Sequence, residues 1–130
     1  MDMGKMRVAR PTKSLAPVVR FYREGLGFEL RGGFEDHAGF DGVMLGCPGL
    51  PYHLEFTVER GHEAPRAPSK EHLLVFYVPQ RDEWKARVKR MVQAGFEPVR
   101  SHNPYWDVNG MTFEDPDGYR VVLYQGEWTR

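Results

Sequence analysis

The chain has 130 residues, 18 Lys plus Arg against 18 Asp plus Glu, and is 41% hydrophobic and 28% charged. That is one domain's length, apolar enough for a core and too apolar to stay disordered. The charge balance gives no basic excess to draw the chain to nucleic acid or an anionic membrane. The longest apolar run, Leu73–Val78, is far too short to span a bilayer, and Met1–Arg7 has no apolar stretch behind it to form a signal peptide. The lone Cys47 has no internal disulfide partner, fits a reducing cytoplasm, and reads as a small packing or turn residue.

Met6–Arg10 is expected to form the first strand. Leu15, Val18, Val19 and Tyr22 then recur at the spacing of one helical face, with Ser14 as cap, Pro17 in the first turn, and Gly25 or Gly27 as the stop. Strands follow at about Phe28–Phe34, Val43–Leu45 and Tyr52–Val58, the last two separated by a turn marked by Gly46, Pro48, Gly49 and Pro51. Alternation puts Tyr52, Leu54, Phe56 and Val58 on one face and His53, Glu55 and Thr57 on the other. Gly61–Lys70, rich in Pro, Ala and charge, reads as a linker.

Beyond it, Leu73–Val78 is a strand, and Trp84, Val88, Met91 and Val92 make a second helical stripe with Asp82 and Glu83 in its first turn and Gly95 at its end. Strands are expected at Phe96–Arg100, Gly110–Glu114 and Tyr119–Gln125, with Asp115-Pro116-Asp117-Gly118 as the turn between the last two. Gly27-Phe28-Glu29 reappears as Gly95-Phe96-Glu97, 68 residues later. The offset is about half the chain. It indicates two modules, about 5–60 and 71–126, each strand-helix-strand with further strands.

Phe21-Tyr22-Arg23-Glu24-Gly25-Leu26-Gly27-Phe28 resembles the FYxxxLGF end of the first helix in the vicinal oxygen chelate superfamily of glyoxalases, bleomycin-resistance proteins and extradiol dioxygenases. Asp115-Pro116-Asp117-Gly118 resembles that superfamily's DPDG turn before the last strand. The resemblance covers nearly the whole chain. It implies an α+β fold of two βαβββ modules whose mixed sheets curl around a shared cavity, with helices outside, and it implies a homodimer. Its enzymes hold a divalent metal from four strand positions. Carried over residue by residue, these fall on Arg7, Glu55, Leu73 and Val122, with His72 one residue from Leu73. Arg, Leu and Val do not ligate metals, so the lyase or dioxygenase site is largely broken and no metal or other cofactor is expected.

Among the candidate residues, Arg7 suits a carboxylate or phosphate, or an ion pair to Glu55, since residues that would share one metal ion lie close together. Glu55 is the one candidate catalytic group. His53 and Glu55 share a strand face, and with His72 they form the alternative, rearranged metal site. Tyr105 and Trp106, in an expected loop at Asn103–Asp107, suit stacking on a flat ligand, and Tyr77, Val122 and Tyr124 share the alternation phase of a cavity wall. The expectation is a cytoplasmic, metal-independent protein that binds a small, partly apolar, anionic molecule. The alternatives are a metal-dependent lyase or isomerase using His53, Glu55 and His72, and a non-catalytic structural or regulatory domain.

Overall fold

The computed structural model describes residues 1–128. The chain forms two compact units, Met1–Pro65 and Arg66–Arg130. Each has a sheet with a helix against it, giving the α+β fold of βαβββ type expected from the sequence.

The first unit runs β1 (Met6–Pro11), α1 (Leu15–Arg20), a π-helical turn over Phe21–Gly25, β2 (Glu29–His37), β3 (Phe40–Gly46) and β4 (Tyr52–Glu59). The sheet order is β1-β4-β3-β2, with β1 parallel to β4 and the other pairs antiparallel. The helix buries Val18, Phe21 and Tyr22 completely. Tyr22 meets Phe56 with ring centroids 4.9 Å apart, so Leu45, Leu54 and Phe56 are the helix-facing side of the sheet. By strand alternation, Arg7, His53 and Glu55 lie on the opposite side. Ser14 takes the capping position in extended conformation, but its side chain makes no capping bond, a departure from the sequence expectation. Its carbonyl instead accepts from the Thr12 hydroxyl.

The second unit runs β5 (Leu73–Tyr77), α2 (Arg81–Gln93), α3 (Tyr105–Val108), β6 (Gly110–Glu114) and β7 (Arg120–Tyr124), with sheet order β5-β7-β6 and β5 parallel to β7. Its core includes Met91, Phe113, Val121 and Leu123, and the Trp84 indole N–H donates to the Leu123 carbonyl at 2.8 Å. Val92, expected in the buried stripe, is 48% exposed at the edge of that face.

The repeated Gly-Phe-Glu segments are the ends of two equivalent helices. Gly95 has φ +97°, its N–H bonds to Val92 O and that of Phe96 to Met91 O, the double closure of a Schellman motif. Gly27, at φ +84°, lets the Phe28 N–H reach Tyr22 O across the wider π turn. A side chain at either glycine would be strained.

Two expectations are corrected in the second unit. Phe96–Arg100 is not a strand: only Val99 bridges to Thr112. Pro98 has no N–H to give a ladder. Ser101 N–H is taken by the Asp107 carboxylate and Arg100 O by the Arg120 guanidinium. Tyr105–Val108, expected as loop, is a single helical turn. Asn103 starts it, accepting the Tyr105 N–H on its side chain and the Trp106 N–H on its carbonyl.

Candidate functional site

The parallel register of β1 and β4 sets Arg7 opposite His53 and Ala9 opposite Glu55. Arg7 therefore reaches two side chains on one strand face. Its Nε donates to His53 Nε2 at 2.8 Å and its Nη1 to Glu55 Oε2 at 3.1 Å, which is the ion pair the sequence led us to expect. The Glu55 side chain is 15% exposed and that of Arg7 47%. Two acceptors on one fork hold the guanidinium in a fixed orientation.

The second unit repeats this geometry with different chemistry. Leu73 stands opposite Arg120 and Val75 opposite Val122, so Leu73 and Val122 stand to each other as Arg7 and Glu55 do. These four positions do not fit a divalent ion. Arg has only donors, and Leu and Val have no donor atoms for a metal. The imidazole nitrogen and the carboxylate oxygen that remain are both bonded to Arg7. Among the described residues no group of three or more His, Cys, Asp or Glu is placed to hold a metal. His72 is exposed and lies just before β5.

Beside Arg7 and His53 the first unit has a cleft of about 570 Å³, lined also by Lys5, Arg31, Met44, Cys47, Leu50 and Tyr52. One wall is the β3–β4 connection, where Leu50 N–H bonds to Cys47 O and Gly49 has φ +82°, as a Pro-Gly type II turn requires. Gly46 faces His53 closely: a Cβ there would stand 3.0 Å from His53 Cβ. Lys5, Arg31 and Met44 were not among the sequence candidates.

In the second unit Tyr77 and Tyr124 are register partners, and α3 brings two more aromatics to the same sheet face. Tyr105 stacks on Tyr124 at 6.0 Å and 13°, while Trp106 meets Tyr124 edge-on at 5.6 Å. The Tyr105 and Tyr124 hydroxyls lie 3.4 Å apart; a hydrogen bond in which Tyr105 keeps its proton, then the nearby Tyr124 charge, holds Tyr105 above the usual tyrosine pKa. Tyr105 and Tyr77 remain 56% and 38% exposed. Gly110 makes the fit possible, because a Cβ there would collide with the Trp106 carbonyl. Val122 is fully buried and touches this glycine position. The sequence thus foresaw these side chains on one face, while the helical turn that delivers Tyr105 and Trp106 was missed.

The two units together have the vicinal oxygen chelate fold, which solved structures share. Glyoxalase I of Leishmania major, described as trypanothione-dependent, superposes with TM-score 0.71 at 19% identity, over 92% of this chain and 84% of that one. Fosfomycin resistance protein FosX of Mesorhizobium loti does so with TM-score 0.68 at 13% identity, over 98% and 94%. Models of the YycE-like N-terminal and C-terminal domains match residues 6–57 and 71–125. The uncharacterized protein YycE of Bacillus subtilis is 47% identical over 92% of this chain and 86% of its own length. A crystal structure of a YycE protein of unknown function from that organism gives TM-score 0.88 at 43% identity, over 98% and 92% of the two chains. The chain belongs to the YycE-like family.

Proposed function

We propose that this protein binds a small, partly apolar anion on the sheet face opposite α1, with Arg7 as its anchor and without a metal ion. The carrying observation is the Arg7–His53–Glu55 arrangement, which holds a guanidinium by two acceptors beside an open cleft, with Arg7 and Glu55 at positions the resemblance gives to metal ligands. Glu55 Oε2 is bonded to Arg7, which supports a positioning role for this carboxylate over one as a catalytic base. In the second module Tyr77, Tyr105, Trp106, Val122 and Tyr124 are proposed as contacts for flat or apolar groups. A cytoplasmic homodimer completes the proposal. No helix among the described residues is long and apolar enough to cross a membrane.

Native mass spectrometry of protein purified from its host tests the binding role. The wild type should retain a small organic molecule, and the Arg7→Met, Glu55→Leu double variant should fold but retain none. Equal retention by both would remove Arg7 from the site.

A further inference from the structure

We infer that the cleft beside Arg7 is a clamp for the dianion of a phosphate monoester carrying a short apolar body. The inference rests on the proposed anion-binding role and specifies its ligand class. Its basis is a count of charges.

The cleft is lined by Lys5, Arg7 and Arg31, and no carboxylate lines it. Arg7 is offset by Glu55 at 3.1 Å. Among the described residues, neither the Lys5 nor the Arg31 side chain has an ion-pair or hydrogen-bond partner. Two uncompensated cations therefore share one cleft. A carboxylate would neutralise one and leave the other unmatched. A phosphate monoester carries about −1.5 to −2 near neutral pH and offers several strong acceptor oxygens, enough for both. The two side chains are complementary in form as well: Lys gives a rotatable point charge and Arg a planar fork.

Arg31 enters this cleft from an irregular point of β2, where the pairing register shifts between Leu30 and Gly32. A bulge re-aims a side chain that strict alternation would place differently. Met44 and Leu50 give the cleft apolar wall, and about 570 Å³ lies within the range of small-ligand sites. A headgroup with an aromatic or short aliphatic body fits these proportions.

The test is isothermal titration with phenyl phosphate, phthalate and benzoate on the wild type and on Lys5→Ala and Arg31→Ala. Both residues are exposed, so neither change should disturb folding. Phenyl phosphate should bind about tenfold or more tightly than benzoate, and each variant should lower its affinity about tenfold with little change for benzoate. Phthalate binding as tightly as phenyl phosphate would overturn the phosphoryl assignment. Benzoate binding as tightly, with both variants indifferent, would overturn the clamp and leave anion binding at Arg7 standing. No binding of any of the three would overturn the clamp and the anion-binding role together.

Discussion

Replacing Glu55 by Gln removes the charge that faces Arg7 and keeps the shape of the side chain. A fully buried Arg that loses its carboxylate costs about 3–5 kcal/mol, and an exposed pair is worth about 0.2–1 kcal/mol. Here the carboxylate is 15% exposed but the guanidinium is 47% exposed, and Arg7 keeps its bond to His53. Water can therefore take up part of the unmatched charge. We expect a loss of about 1–2 kcal/mol, between those limits and nearer the surface one. For a chain this size that is roughly 3–10 °C in Tm. Removing both charges, as Arg7→Met with Glu55→Leu, should recover most of the loss, because no unpaired ion remains. The assay is a double-mutant cycle by denaturant unfolding of the wild type, Arg7→Met, Glu55→Leu and the double variant. A coupling of about 1 kcal/mol is expected, above the roughly 0.3–0.5 kcal/mol within which independent sites add. Additive single effects, or an unchanged midpoint in Glu55→Gln, would refute the pair as an energetic unit.

Gly110→Ala should displace α3, whose Trp106 carbonyl occupies the space a Cβ needs, and should shift tryptophan emission to the red. Trp106→Phe should remove much of the fluorescence change on ligand binding; an unaltered change would place the ligand away from the aromatic cluster. The Arg60 guanidinium, then the Asp36 N–H, hold the Asp41 carboxyl below its ordinary 3.8, so its stabilisation is present above about pH 4 and fades as pH falls further. Unfolding midpoints of wild type and Asp41→Asn should accordingly converge in acid, and a gap that widened there would contradict the assignment. Elemental analysis of protein purified from its host should find no stoichiometric Ni, Zn, Fe or Mn; close to one ion per chain, lost on changing His53 or Glu55, would establish the rearranged metal site instead.

Much of the fold was legible because the chain writes its turns in residues with few conformations. Gly27 and Gly95 stop two helices at positive φ. Asp115 closes its turn through both carboxylate and carbonyl, and Gly118, at φ +89°, meets the Arg66 guanidinium where a Cβ would stand. The Arg7–Glu55 contact was legible because register fixes which side chains can touch across paired strands. Phe96–Arg100 misled because its alternation looks like a strand, while its Phe96 N–H closes the preceding helix on Met91 O and its Arg100 carbonyl accepts from Arg120, a side chain that local sequence cannot connect to it. The helical turn at Tyr105 was hidden in a loop-like composition and depends on Asn103. Lys5 and Arg31 escaped notice for a different reason. Their importance comes from lacking partners, and Arg31 sits where a register shift ends the usefulness of counting alternate residues.

We propose that Arg7, held by two acceptors, stands beside an anion-binding cleft at a position the family resemblance gives to a metal ligand. X-ray diffraction from protein purified from its host, recorded with anomalous scattering, tests it most directly. We expect density for a small organic anion against Arg7 in the Lys5–Arg31 cleft, with Arg7 still bonded to His53 and Glu55 and no anomalous peak between them. An anomalous peak bound by His53 and Glu55, with Arg7 swung away, would contradict the account.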